Sequence, residues 1–167
     1  MIYRPLRMAI PSAEQRTAVI DLGSNSFRLV VFTAADGWWK RTDEIYEAVR
    51  IGAGLAETGE LGEEPMRRAL HTIDVFAHFC RALSIDDVRP VATSAIRDAT
   101  NGKAFARRAT EQTGLPVRIL STAQEALYGH LAAVNSTTIA DGVVLDLGGG
   151  SMQLVRVRER RPNELQS

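Results

Sequence analysis

The chain has 167 residues and a mass of 18.3 kDa, the length of one ordinary domain. Its 20 Lys and Arg balance 20 Asp and Glu, for a formal net charge of zero, which excludes a protein held to DNA or to an anionic membrane surface by bulk charge. A hydrophobic fraction of 45% with 24% charged residues sets it apart from disordered chains and supports a packed core.

Residues 1–16 read as a loose lead-in, because Pro5, Pro11 and Glu14 interrupt any signal-peptide core behind Arg4 and Arg7. Residues 17–22 form a β-branched and apolar run that ends in the turn-rich cluster Gly23-Ser24-Asn25-Ser26, and a second apolar strand spans residues 27–33. After Asp36-Gly37, a hairpin signal, residues 38–51 read as a third strand, braced by Trp38 and Trp39. Residues 52–64 hold four glycines and read as a loop. From Met66 to Leu83 apolar residues recur at helical spacing, with Arg67, Arg68, Asp74 and Arg81 on other faces. A short strand over 88–92, a helix over 103–113 stopped by Gly114, a strand over 117–120 and a helix over 122–134 follow. The order βββαβαβα predicts an α/β fold in which crossover helices impose parallel strands.

The lone cysteine, Cys80, permits no intrachain disulfide and no cysteine-based zinc site, and its place on the apolar helical stripe reads as a core thiol. No charge-free apolar run approaches the roughly 20 residues that span a bilayer. A reducing, cytoplasmic setting is expected.

Near the end, part of the first hairpin recurs. Residues 19–31, VIDLGSNSFRLVV, align with residues 144–156, VLDLGGGSMQLVR, at seven identical positions of thirteen. Internal similarity of this kind marks duplicated architecture. The reading divides the chain into a complete unit over 17–135 and the start of a second, truncated unit over 139–167, consisting of one hairpin with Pro162 and polar residues behind it.

The chemistry sits in the turns. Glycine lets a backbone approach a ligand closely, and successive amides in a tight turn form an anion-binding concavity. Gly23, Ser24, Asn25, Ser26, Gly148, Gly149, Gly150 and Ser151 therefore make two candidate phosphate-binding turns, with hydroxyl and amide donors added. Asp21 and Asp146 flank them as candidate ligands for Mg²⁺ or another divalent cation, which would bridge carboxylate and phosphate. Arg97, at the exit of the fourth strand, can grip phosphate bidentately or form an ion pair with Asp98 or another acid. Ser121 or Thr122 reads as a helix N-cap, which puts Glu125 in the first turn, either complementing the helix dipole or acting as general base on water. There is no P-loop motif, and Gly148-Gly149-Gly150 leads into a strand rather than a helix, so no dinucleotide fingerprint is present. His71 and His78 share a helix face but lack a third ligand. Arg156, Arg158, Arg160 and Arg161 read as a solvated strand face, or as a stripe that a long polyanion could use.

Four segments taken together, Asp21-Leu-Gly-Ser-Asn-Ser26, Ala92-Thr-Ser-Ala-Ile-Arg-Asp-Ala-Thr-Asn101, Glu125-Ala126 and Asp146-Leu-Gly-Gly-Gly-Ser151, resemble the exopolyphosphatase and guanosine pentaphosphate phosphatase family. The resemblance covers residues 17–158 and implies ribonuclease-H-like domains of the actin-like ATPase superfamily around a cleft. It implies Mg²⁺-dependent removal of terminal phosphate from inorganic polyphosphate, or from guanosine pentaphosphate (pppGpp). It gives Glu125 the activation of water, Asp146 the metal, and Arg97 and the turns the phosphate. Two departures stand out: Gln124-Glu125-Ala126 replaces the usual Glu-Glu-Ala, and Gln153 stands where a carboxylate is usual after the second turn. With half a cleft, the chain alone is expected to hydrolyse little, and the open hairpin edges invite pairing into a homodimer.

Overall fold

A computed structural model describes residues 13–166. Apolar alternation along the first strands produces a hairpin of β1 (Gln15–Leu22) and β2 (Phe27–Ala35), whose inward residues Ala18, Ile20, Leu22, Phe27, Leu29 and Val31 are buried. Of the expected lead-in, residues 1–12 lie outside the described residues, and Gln15 and Arg16 belong to β1, opposite Ala34 and Thr33. β3 (Trp38–Glu47) pairs antiparallel with β2, and Phe32 meets Trp39 edge-on at 5.7 Å between ring centres. The strand ends four residues before the expected limit of 51. There the backbone swings away so that the Arg50 and Gly52 amides donate to the Asn25 and Ser24 carbonyls at 2.7 and 3.0 Å.

The expected loop over 52–64 contains the single turn α1 (Leu55–Thr58) and the first residues of α2 (Glu63–Ala82). The periodic stripe of α2 buries Leu70, Ile73, Phe76 and Cys80 in the core. β4 (Asp87–Ala92) runs parallel to β1. It leads into α3 (Ser94–Asp98), a turn of helix with no counterpart in the sequence reading, and then α4 (Gly102–Thr113). The two-residue β5 (Arg118–Ile119) runs parallel to β4. The sheet order is β3-β2-β1-β4-β5. This is the mixed α/β sheet of the expected class, with one-turn helices added between the main elements.

The helix α5 (Thr122–Ser136) connects to a second sheet, β6-β7-β8. β6 (Gly142–Leu147) and β7 (Met152–Arg158) form the expected hairpin. A third strand, β8 (Arg161–Gln166), corrects the expectation that the second unit stops after two. Pro162 does not forbid it, because β8 pairs only with β7 and an edge strand can do without one amide donor. Glu159 and Arg160 make the connecting turn with φ of 50° and 62°, the left-handed pair that a two-residue hairpin requires. The Arg160 guanidinium holds this turn to the end of α5 through the carbonyls of Val134, Thr137 and Ile139. Arg160 is exposed, as are Arg156, Arg158 and Arg161, and adds this clasp to the solvated arginine face. Ala126, His130 and Val134 form the buried stripe of α5. Among the described residues no helix is long and apolar enough to cross a membrane.

Candidate active site

The duplicated sequence makes the same turn twice. The Gly23 amide donates to the Ser26 carbonyl at 3.1 Å, and the Gly148 amide donates to the Ser151 carbonyl at 2.9 Å. The two turns also approach each other. A methyl group on Gly149 would lie 2.6 Å from Asn25 Nδ2, and one on Gly150 would lie 2.6 Å from Ser24 Oγ. Glycine at these positions is required by the side chains of the opposite turn. Ser24 is buried, and its hydroxyl shares a hydrogen bond with Ser94 Oγ at 2.9 Å, so it has little freedom to yield.

Glu125 reaches the site from the first turn of α5. Ser121 caps that helix: its hydroxyl accepts from the Gln124 amide at 3.2 Å, while Gln124 Oε1 accepts from the Ser121 amide at 3.0 Å. This reciprocal box sets the helix start, and Gln124 performs it without adding a charge beside Glu125. Glu125 Oε2 accepts from Arg97 Nη1 at 2.6 Å, and Oε1 accepts from Ser151 Oγ at 3.2 Å. Arg97 also donates to Asp98 at 3.0 Å and to the Leu120 carbonyl at 3.4 Å. Burial works against the Arg97 charge, but the bonds to Glu125 and Asp98 more than offset it and hold its pKa above the ordinary value.

Both turns, Asp21, Glu125 and Asp146 line one cleft of about 680 Å³. Every sequence-predicted site residue except Gly150 and Arg97 is on its wall. Gly150 lines the adjoining 390 Å³ hollow with Ser24, Arg50 and Asp98, and Arg97 stands behind Glu125 rather than facing the open space. Asp21 opens onto the cleft yet is crowded by protein on its other sides. That burial pushes its carboxyl pKa up, the charges of Glu125 and Asp146 push it further, and Arg28 across the strand pair only partly opposes them. On Asp146, Gly129 of α5 packs so closely that a methyl group there would lie 3.0 Å from Oδ2.

Neither Asp21 nor Asp146 has a hydrogen-bond or ion-pair partner among the described residues. Their hard oxygens suit a cation such as Mg²⁺, and mutual repulsion at Asp21 is what such a charge would relieve. Among the described residues no group of three or more His, Cys, Asp or Glu side chains forms a ready-made metal cage. A cation held here would take its remaining ligands from water and substrate, as Mg²⁺ commonly does.

Among the residues of this wall that the sequence alone does not single out are Tyr46, Ser94, Tyr128 and Gly129. Ser94 lies inside the Arg97 segment but opens a helix of one turn, too short to show periodicity. Gly129 follows Glu125 by four, one helical turn on, and a glycine inside a helix is itself a signal of close approach.

The sequence profile of the Ppx/GppA phosphatase family matches residues 30–167. The chain belongs to that family. An Aquifex aeolicus Ppx/GppA enzyme is 31% identical with a TM-score of 0.81, over 92% of this chain and 52% of that one. An exopolyphosphatase from Cytophaga hutchinsonii superposes with a TM-score of 0.86 at 26% identity, over 91% of this chain and 49% of that one. The ethanolamine utilization protein EutJ from Carboxydothermus hydrogenoformans, at 14% identity and a TM-score of 0.51 over 90% of this chain and 50% of that one, shares the fold alone. The chain spans about half the length of these solved relatives.

Proposed function

We propose that the chain supplies the water-activating half of a phosphohydrolase that removes the terminal phosphate from inorganic polyphosphate. What carries this reading is the convergence of Glu125, Asp21, Asp146 and both glycine turns on one cleft, in a chain of the Ppx/GppA phosphatase family. Glu125 takes the proton of the attacking water. Arg97 and Ser151 fix its two oxygens, and the carboxylate keeps further lone pairs free for that water. The turn amides and hydroxyls hold the phosphoryl oxygens, and their donors stabilise charge that develops there. Asp146 and Asp21 would hold Mg²⁺, which supplies neutralisation of the polyanion when bound.

A second reading, hydrolysis of pppGpp at its 5′ end, is favoured by Tyr46 and Tyr128, exposed aromatic rings on the same wall that suit a nucleobase better than a bare phosphate chain. A third, non-catalytic polyphosphate binding, follows if the cleft lacks its opposite wall.

Orthophosphate release from long-chain polyphosphate and from pppGpp, with Mg²⁺, tests these readings in the chain alone and fused to the second half of the Aquifex relative. The fused form is expected to turn over and the chain alone to do little. Glu125→Gln should lower turnover at least about 100-fold with polyphosphate binding nearly intact. Unchanged turnover in Glu125→Gln would remove it from the mechanism. Binding without release in either form would leave the non-catalytic reading, and faster release from pppGpp would make the nucleotide the substrate.

A further inference from the structure

A polyanion must meet positive charge, and the cleft wall supplies none of its own. Among the described residues it carries the carboxylates of Asp21, Glu125 and Asp146 and no lysine, arginine or histidine. Arg97 stands behind Glu125 and is engaged by Glu125 and Asp98. Among the described residues the one cation on the adjoining 390 Å³ hollow is Arg50. The two spaces meet at the glycine turns, since Ser24, Asn25, Ser94 and Gly149 line both. Arg50 is exposed, and among the described residues its guanidinium has no hydrogen-bond or ion-pair partner. Its backbone, by contrast, is fixed. Val49 and Ile51 on either side are buried. The Arg50 amide donates to the Asn25 carbonyl at 2.7 Å, and the Arg50 carbonyl accepts from the Ala53 amide at 3.1 Å. The residue is also strained: its φ of 52° lies in the left-handed region that Gly54, in the same loop, takes at 78°. Glycine adopts that region freely and arginine does not. A glycine at 50 would keep the loop and relieve the strain, so what the arginine adds is a cation anchored to the first glycine turn.

We propose that Arg50 binds the phosphate chain on the leaving side of the bond being broken, where the chain passes from the turns into the hollow. The role rests on the reading of the cleft as a polyphosphate site with the terminal phosphate toward Glu125. The ligand class is a condensed phosphate, whose units beyond the terminal one each carry negative charge. A planar guanidinium fork matches phosphate oxygens, and an arginine without a protein partner gives up no ion pair to take one. Asp98 lines the same hollow, but its charge is met by Arg97 Nε at 3.0 Å. Ala53, Leu55, Ala56 and Ala95 complete much of the remaining wall and offer phosphate no side-chain donor, which leaves recognition there to Arg50.

Calorimetric titration of the chain with tripolyphosphate and Mg²⁺ tests the assignment. Arg50→Gly is expected to fold with its thermal midpoint nearly unchanged, because glycine takes the left-handed φ, and to bind tripolyphosphate about tenfold more weakly. Arg50→Gln, which keeps bulk without charge, should lose as much, whereas Arg50→Lys should stay within about threefold of the unsubstituted chain. Undiminished binding in Arg50→Gly would overturn the proposal. So would equal losses in Arg50→Gly and Arg50→Lys, which would mean that the positive charge is not what binds. Should Arg50→Gly fail to fold, undiminished binding in Arg50→Gln is decisive against the role. In the turnover assay of the fused form, Arg50→Gly should raise KM about tenfold with kcat nearly constant. A fall in kcat at unchanged KM would place Arg50 outside substrate binding and overturn the assignment. Absence of phosphate release from the unsubstituted fused protein would sink the hydrolase reading instead, while the titration still decides the role of Arg50. Absence of tripolyphosphate binding by the unsubstituted chain and the fused form alike would sink the phosphate reading of the cleft, and the Arg50 subsite with it.

Discussion

The two duplicated hairpins fold alike locally and differ in everything around them. Residues 19–31 and 144–156 place an aspartate, a glycine turn and a second strand in the same order, and both turns close on the same amide-to-carbonyl bond. Yet Ile20, Leu22 and Phe27 are almost fully buried, whereas their counterparts Leu145, Leu147 and Met152 are 53%, 70% and 53% exposed. β1 has a neighbour on each side, while β6 is an edge. The turn is therefore written in a handful of adjacent residues, and burial is written elsewhere, by α2 and β4 for the first hairpin. An apolar set of this size left open is also the surface most apt to meet another chain, which keeps the expected homodimer a testable proposal.

The largest effect that can break this comparison is in the leucine pair. Leu22→Ala should cost about 2–5 kcal/mol, as deletion of a buried leucine does. Leu147→Ala should cost less than about 0.5 kcal/mol, the range of ordinary surface changes. Urea unfolding of the two variants measures both. Comparable losses would mean that the Leu147 face is covered in solution, and a concentration-dependent midpoint would then identify a second copy of the chain as the cover.

What is legible in the sequence follows the same division. The α2 stripe, the Ser121 cap and both turns are local patterns, carried by residues at most four apart, and they can be read directly. So can the placement of Glu125 in the first turn of α5. The Arg97 to Glu125 pair joins residues 28 apart in sequence, and no periodicity points to it. Sequence reasoning offers Arg97 phosphate, or Asp98 or another acid, and it does not say that the other acid is Glu125, which Arg97 meets together with Asp98. α3 is shorter than any helical repeat can register. β8 escapes sequence reasoning because Pro162 reads as a stop, when its edge position makes the proline harmless.

The turns themselves offer the next test, since one carries side chains and the other carries the room for them. Gly150→Ala should cost about 1–3 kcal/mol, because its methyl group meets the fixed Ser24 hydroxyl at 2.6 Å. Its counterpart Asn25, exposed at its own turn, should tolerate alanine within about 0.5 kcal/mol. Adding Ser24→Gly to Gly150→Ala should recover part of the loss in a double-mutant cycle, and no recovery would mean that the turns do not interlock.

A smaller effect on stability, with a larger one on the site, is expected at Gly129. Alanine inside a helix gains up to about 1 kcal/mol over glycine, and here that gain is set against crowding of Asp146 Oδ2 at 3.0 Å. Gly129→Ala should leave the thermal midpoint nearly unchanged while weakening Mg²⁺-dependent tripolyphosphate binding several-fold, as read by calorimetry. Unchanged binding would mean that Asp146 can shift without consequence and is no part of the site.

The smallest effect separates the aspartates by charge. Burial first, then Glu125 and Asp146, hold the Asp21 carboxyl above its ordinary pKa despite Arg28. A group whose pKa rises on folding binds its proton more tightly in the native state, so its contribution to stability is present at low pH and is lost as pH climbs through the raised value. Above that value the ionised Asp21 is a net cost. An asparagine side chain is neutral throughout, so Asp21→Asn should melt slightly higher than the unsubstituted chain near a pH of about 7.5, well above the ordinary aspartate range. The gap should close as pH falls through that raised value, where the carboxyl gains its proton and both side chains are uncharged. Mg²⁺ at the higher pH should also narrow the gap, because a cation between Asp21 and Asp146 removes the repulsion that the asparagine removes by another route. A gap that persists unchanged at low pH would show that the substitution acts through packing, and a gap indifferent to Mg²⁺ would place the cation away from Asp21.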